Sequence, residues 1–344
     1  MRAAPMLIAV ALLCCACGGS TSSALDFGYP LDATLRLNHA QLKGTHNSYH
    51  QRPTPLYVND YDYSHAPLDV QLQSQGVRQL ELDVHWLPDD ARFAVYHLPA
   101  LDPLSSCHWL TDCLGLVRAW SDAHRGHFPI FIFIEPKDDV DNASMAIAPH
   151  LDALDAEVRS VFPTRLFTPD ALRGAHASVQ AALAADGWPT LGAVRGDVLF
   201  VLLDTERAPG KPMYEYTHGL TNLDGRAMFT LGEATDPFVA VLSLEDPIND
   251  GPATAAAIHQ GLIVRTLVDD GHGAQITGTA ERDAALAGDA SIISSDYPVP
   301  GLVPGYSVEL PDGTPVRCHP LAAPSACTDD ALEGPTHLEP RNPR

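Results

Sequence analysis

Basic residues are scarce in this chain. Lys plus Arg number 21 against 43 Asp plus Glu, a formal net charge of −22 over 344 residues. Nucleic-acid binding draws its affinity from basic side chains that displace counterions from phosphates, so a chain this acidic is a poor candidate for that class of partner. An excess of carboxylates bears mostly on solubility, and it also suits a protein that recruits a cation.

Long apolar runs are lacking as well. The first, MLIAVALL (6–13), is too short to be a permanent membrane helix, and no later run is longer. One Arg precedes it and small residues follow, as in a secretory signal, which is set apart from the fold. The segment CCACGGS resembles a bacterial lipoprotein box, with Ala16 before Cys17 and a Gly/Ser-rich tether after it. Cys14 departs from that pattern, standing where an aliphatic residue is usual. The expectation is a signal peptide over 1–17, lipid attachment at Cys17 and a tether over 18–30. The protein would then be exported and anchored to a bacterial envelope membrane, or otherwise simply secreted.

Cysteine is sparse beyond that segment: Cys107, Cys113, Cys318 and Cys327. An even count in an exported chain points to disulfides. Of three connectivities the simplest is Cys107 with Cys113 and Cys318 with Cys327; free buried thiols are the alternative. Several catalytic motifs are missing too. There is no His-Glu-x-x-His, no Cys pair at zinc spacing, no P-loop or dinucleotide fingerprint, and no Gly-x-Ser-x-Gly.

What is present is an alternation of strand and helix patterns, with 45% hydrophobic residues, enough for one large core or two ordinary ones. Candidate strands are AQLKGTH (40–46), VRQLELDV (77–84), PIFIFIE (129–135), DVLFVLLD (197–204), AMFTL (227–231), FVAVLSLE (238–245), LIVRTLVD (262–269) and ASIISSD (290–296), with RFAVYH (92–97) as an extra extended piece. LDVQLQSQG, LGLVRAWSDAHRGH, ASMAIAPHLDALDAEVRSVF, ASVQAALAADG, TAAAIHQG and TAERDAALAGD favour helix. The strand runs are apolar without clean alternation, as in parallel strands covered on both faces. Eight of them over 31–298 predict a (β/α)8 TIM barrel; an open doubly wound sheet is the alternative. Residues 299–344, rich in Pro and polar residues, read as a short disulfide-pinned extension or partly ordered coil.

Polar residues gather where these strands end. His46 and Asn47 follow strand one, with Gly44 read as turning the backbone. Glu81 and Asp83, two apart, share a face of strand two. Glu135 closes PIFIFIE, His97 closes the extra piece, and Asp296 closes its run. In a TIM barrel these positions form the active-site mouth. Glu81, Asp83, Glu135 and the Asn47 carboxamide are hard oxygen donors, and crowded carboxylates need a cation or a proton between them. Ca²⁺ takes 6–8 oxygens, leaving places for water and substrate. Two histidines beside such a cation suit acid–base work on a phosphate ester.

KGTHNSY, ELDVHW, VYH and IEPKDD, with the intervening DPLSSCHWLTDCLGLVRAWSDAHRGHFPI, resemble the Ca²⁺-dependent phosphatidylinositol-specific phospholipases C of bacteria. The resemblance covers roughly 38–298 and is most specific in 42–137. It implies a PLC-like phosphodiesterase TIM barrel with His46 and His97 catalytic and Asn47, Glu81, Asp83 and Glu135 holding Ca²⁺. The implied reaction is attack of the inositol 2-hydroxyl on the phosphodiester, releasing diacylglycerol and leaving inositol cyclic phosphate. His97 is assigned as general acid and His46 as the phosphate contact; the base is either a histidine or a carboxylate ligand.

Lys137 is expected either at the phosphate or on a carboxylate. Arg265 is expected at an inositol hydroxyl or phosphate, or in a buried ion pair. Asp296 and Tyr297 are read as a sugar-binding edge, the Tyr ring stacking on inositol. The implied partner is phosphatidylinositol or a related inositol lipid at a membrane surface, met by a monomer. The alternatives are a glycerophosphodiester phosphodiesterase and a catalytically silent lipid- or glycan-binding barrel. Asp83-x-His85 and Asp270-x-His272 keep a two-metal phosphoesterase in view.

Overall fold

The computed structural model describes residues 27–138, 143–269, 276, 278–311 and 315–333. The N-terminal segment with Cys17, and the pair Asp270 and His272, lie outside these residues. The strands are β1 (Ala40–Thr45), β2 (Gln79–Leu87), β3 (Arg92–Val95), β4 (Ile130–Pro136), β5 (Val198–Leu202), β6 (Phe229–Thr230), β7 (Val241–Ser243), β8 (Ile263–Leu267), β9 (Ile292–Ser295) and β10 (Val316–Cys318). Helices α1 (Leu68–Ser74), α2 (Leu110–Ala123), α3 (Leu151–Val161), α4 (Pro169–Arg173), α5 (Val179–Ala185), α6 (Leu191–Val194), α7 (Pro212–Tyr216), α8 (Gly251–His259), α9 (Ala280–Ala287) and α10 (Asp329–Glu333) lie between and after them.

Eight strands pair in parallel in the order β6-β5-β4-β2-β1-β9-β8-β7, each falling within or close to one of the eight runs expected from sequence. This is the expected TIM barrel, nearly closed: among the described residues no ladder joins β6 to β7. The parallel strands are buried almost throughout, which is why they lack alternation. The extra piece forms β3, antiparallel to the upper part of β2, and so returns the chain to the mouth at His97.

Two local expectations are corrected. The run 143–162 is not one helix; it forms two 3₁₀ turns, Ala143–Met145 and Ala148–His150, before α3 begins. Pro149 has no N–H to donate and its ring crowds the preceding turn, so it cannot sit inside a helix. Gly44 does not turn the chain. It lies within β1, where an added Cβ would stand 1.8 Å from Gln79 Oε1 and 2.9 Å from its Cβ, so it is the close approach of β2 that requires glycine.

The chain after the barrel is more ordered than a coil. β10 pairs antiparallel with β1, and disulfides join Cys107 to Cys113 and Cys318 to Cys327. α10 brings Glu333 to the end of the barrel opposite the mouth. Its carboxylate takes a bidentate pair from Arg78, with Nε to Oε2 at 2.8 Å, and accepts from the Phe128 N–H at 2.9 Å. Arg78 and Glu333 are both buried, and Arg78 lies over the Trp120 ring at 4.8 Å. Burial alone would raise the Glu333 pKa; Arg78 more than reverses this and holds it below the ordinary value. Arg195 donates to the carbonyls of Leu332 and Ala331 at 2.8 and 3.0 Å, satisfying groups that a helix end leaves without partners.

Removing one member of a buried pair strands the other's charge. Arg78→Met is expected to cost about 3–5 kcal/mol in a chemical denaturation experiment. A loss under about 1 kcal/mol would mean that water reaches this pair and screens it.

Candidate active site

β2 and β4 run in register, with Glu81 opposite Phe133 and Asp83 opposite Glu135. The register sets carboxylates of neighbouring strands side by side. One ligand atom from each of Glu81, Asp83 and Glu135 lies within 4.8 Å of the others. Glu81 and Asp83 are buried. Burial is the main cause that raises the Glu81 pKa, with Arg265 opposing it; burial and then the Asp83 charge raise Glu135. Glu81 Oε1 is buried with no hydrogen-bond partner among the described residues. A crowded set of hard oxygens with orphaned lone-pair donors among them fits Ca²⁺, and the set offers no sulfur to favour a softer ion.

Two cations touch this cluster. Lys137 Nζ stands 2.7 Å from Asp83 Oδ2 and 2.5 Å from Glu135 Oε1. Arg265 Nη2 stands 2.5 Å from Glu81 Oε2, while Nη1 reaches Glu245 Oε1 at 2.9 Å and Ser243 Oγ at 3.1 Å. Of the two settings each residue was given from sequence, both occupy the one on a carboxylate.

His46 follows β1, its N–H bonded to the Ser295 carbonyl at 3.2 Å. Its Nδ1 is 3.0 Å from Asp296 Oδ1 and its Nε2 3.7 Å from Glu81 Oε1. Its carbonyl accepts from His65 Nε2 at 2.8 Å, and burial lowers the His65 pKa to about 4, so His65 stays a neutral donor. The turn that points the loop inward falls at Asn47, whose φ is +42°, a region that Asn tolerates. Asn47 Oδ1 accepts from the Tyr49 hydroxyl at 3.3 Å. Burial first, and then Asp83, raise the Tyr49 pKa, so Asn47 and Asp83 share this neighbour.

His97 is held from behind. Its Nδ1 is 3.0 Å from Asp102 Oδ2, and Asp102 Oδ1 is 3.0 Å from His50 Nε2. Burial would raise the Asp102 pKa, but the hydrogen bonds from His50 and His97 outweigh it and keep the group a carboxylate. The His97 carbonyl accepts from His85 Nε2 at 3.2 Å, as does that of Tyr96 at 2.9 Å. The His85 ring stacks on Tyr96 with centroids 3.8 Å apart. His85 therefore supports the loop that carries His97, and the two-metal reading of Asp83-x-His85 is set aside.

A cavity of about 550 Å³ opens beside the cluster. It is lined by His46, Glu81, Glu135 and Arg265 from the sequence candidates, and by Asp204, Glu245 and Asp250 besides. His97 does not line it; its loop meets the His46 loop through Asp102 and His50. Asp296 and Tyr297 do not form a sugar edge. Asp296 is buried behind His46, and Tyr297 is buried with its ring packed edge-on to Tyr63 and Tyr306, so it has no open face for inositol. Asp269 Oδ1 accepts from the Asp296 N–H at 2.8 Å, and burial together with the Asp296 charge raises Asp269 to about 7.

Sequence reasoning missed Asp102, Asp204, Glu245 and Asp269. The last three each close an apolar strand run, the same signal that marked Glu135 and Asp296. Asp102 carries no such mark, since only the fold brings it under His97.

A family model described as phosphoinositide phospholipase C, Ca²⁺-dependent, matches residues 35–96 and 89–320. No curated protein sequence matches the chain. Among solved structures, a calcium-dependent phosphoinositol-specific phospholipase C from Pseudomonas sp. is similar at 22% identity, covering 84% of this chain and 97% of its own, with a TM-score of 0.59. Its myoinositol complex is similar at 21% identity, with the same coverage of 84% and 97% and a TM-score of 0.60. A Ca²⁺-dependent phosphatidylinositol-specific phospholipase C from Streptomyces antibioticus is 21% identical, covering 77% of this chain and 95% of its own, with a TM-score of 0.55. At these identities the structures establish a shared fold.

A ligand that binds only the native state stabilises it by mass action. Ca²⁺ at a hundredfold excess over its dissociation constant is expected to raise stability by about 2.7 kcal/mol, read as a higher melting temperature than in chelator. Glu81→Gln and Asp83→Asn should each abolish most of that increment. An increment unchanged in both variants would place the cation elsewhere.

Proposed function

The chain belongs to the Ca²⁺-dependent phosphoinositide phospholipase C family, and from that premise we propose that it cleaves phosphatidylinositol by attack of the inositol 2-hydroxyl on the phosphodiester. The hydroxyl proton passes to a base at the rim, a histidine or one of the cluster carboxylates, the bond from phosphorus to the diacylglycerol oxygen breaks, and inositol cyclic phosphate is left. The observation that carries this reading is a pair of histidines, each backed by a buried carboxylate, with His46 reaching to 3.7 Å from Glu81 of the three-carboxylate cluster. Asn47, Glu81, Asp83 and Glu135 are the residues to hold Ca²⁺. When bound, that ion lowers the pKa of the attacking hydroxyl and neutralises charge growing at phosphorus.

His97 serves as general acid. Asp102 accepts from its Nδ1–H, which fixes the ring and leaves Nε2 to carry the proton for the departing diacylglycerol oxygen. His46, oriented by Asp296 and facing the cavity, contacts the phosphate. Holding the nucleophile within the substrate makes attack intramolecular, and the cavity walls fix its orientation. Asp204, Glu245 and Asp250 on the cavity wall offer acceptors for inositol hydroxyls.

The test is phosphorus NMR of the purified protein with phosphatidylinositol micelles, in Ca²⁺ and in chelator. Cyclic inositol phosphate forming only with Ca²⁺ is the expected result. Glycerol phosphate released from glycerophosphoinositol, supplied as a second substrate, with no cyclic product from the micelles would favour the glycerophosphodiesterase reading, and no product from either would favour the silent barrel. His46→Ala and His97→Ala should each lower kcat by about 10²–10⁴-fold while leaving the Ca²⁺ melting shift in place.

Export and anchoring are part of the same proposal. The signal-like segment ending at Cys17, and the two disulfides of the barrel and its extension, support an exported protein tethered by lipid at Cys17. It would act as a monomer at a membrane surface, its barrel spanning 31–298 and its extension 299–344. No helix among the described residues is long and apolar enough to cross a membrane. Radiolabelled palmitate is expected to enter the wild type and not Cys17→Ser; equal labelling of both would remove the anchor at this residue.

A further inference from the structure

The two cations on the carboxylate cluster are not held alike. Arg265 lies in the middle of β8 and is 1% exposed. Its guanidinium is bonded to Glu81, Glu245 and Ser243 and sits 5.6 Å from the centre of the Phe133 ring. It has nowhere to go. Lys137 comes just after β4, its main-chain N–H bonded to the Val84 carbonyl at 3.0 Å. Its side chain is 17% exposed and touches the cluster only through the ammonium group. The Lys stem is flexible, and the ammonium is a compact charge that water solvates well.

The oxygens that Lys137 contacts belong to the carboxylates a cation would use. Asp83 Oδ2 at 2.7 Å and Glu135 Oε1 at 2.5 Å belong to two of the three residues whose ligand atoms converge within 4.8 Å. Ca²⁺ binds carboxylate oxygens at about 2.3–2.6 Å. An ammonium and a divalent cation on the same two carboxylates are like charges at near-contact distance, where repulsion is strong. Asp83 is fully buried, so it also needs one of the two cations at all times.

We propose that Lys137 is the exchangeable counter-ion of the Ca²⁺ site: its ammonium and Ca²⁺ compete for Asp83 and Glu135, metal binding turns the Lys137 side chain out toward solvent, and Lys137 thereby sets the Ca²⁺ affinity. Arg265 stays on Glu81 throughout. The inference rests on the proposed Ca²⁺ site and adds what that site must release to bind its ion. Exchange of one cation for another leaves the buried carboxylates compensated in both states. It keeps binding weaker, and more easily reversed, than an uncompensated cluster would give.

The test is isothermal titration of Ca²⁺ into the chelator-stripped full chain, with melting temperatures in chelator and in Ca²⁺. Lys137→Met keeps the stem and removes the charge. It is expected to bind Ca²⁺ about tenfold tighter or more, a change that one removed like charge can supply. In chelator it should melt below the wild type, and its gap between chelator and Ca²⁺ should widen. Lys137→Arg, which keeps the charge, should bind no tighter than the wild type. If Lys137→Met does not fold, Lys137→Gln carries the same comparison. Equal or weaker Ca²⁺ binding in a folded charge-removing variant overturns the exchange while leaving the Ca²⁺ site intact. Absence of Ca²⁺ binding in the wild type overturns the exchange and the proposed site together.

Discussion

Carboxylates crowded onto adjacent parallel strands are the constraint around which this structure is arranged. The β2–β4 register puts Asp83 against Glu135, and the two-residue period of β2 puts Glu81 on the same face. Such a group is costly in a barrel mouth unless positive charge reaches it. Lys137 from the end of β4 and Arg265 from across the barrel in β8 supply it. Strand register therefore fixes the electrostatic problem before any loop is placed, and the side chains on neighbouring strands are its solution.

The histidines are positioned by a second layer of the same kind. Asp296 orients His46, and Asp102 orients His97 while also binding buried His50. His65 and His85, kept neutral by burial, each donate to a carbonyl of the loop that bears a candidate catalytic residue. In a low-dielectric setting a fully partnered polar network is rigid, and the site chemistry asks for rings that do not reorient. Three histidines, His50, His65 and His85, thus serve to place two others or the carboxylates beneath them.

The opposite end of the barrel shows the other use of a buried charge pair. Arg78 and Glu333, far apart in sequence, join the residue preceding β2 to α10, and Arg195 fastens the end of that helix. Chemistry gathers at the strand C-terminal ends and closure at the N-terminal ends, a division that TIM barrels share. The tail belongs to the closure. The disulfide between Cys318 and Cys327 shapes the segment that delivers Glu333 to its partner.

Much of this was legible in the sequence because it depends on short-range pattern. Apolar runs of strand length, most of them ended by a polar residue, located the eight barrel strands and marked Glu81, Asp83, Glu135 and His46, since a parallel strand buried on both faces leaves mainly its end for a charge. The same rule extends to Asp204, Glu245 and Asp269. Tertiary structure alone decided the rest. It paired Arg265 with Glu81 across 184 residues of chain, set Asp102 beneath His97, turned Tyr297 inward and brought α10 of the disulfide-pinned extension to the barrel floor. Pattern along a chain reports which face of an element is buried; which charge lies opposite which depends on the closure of the barrel, and no local period encodes that.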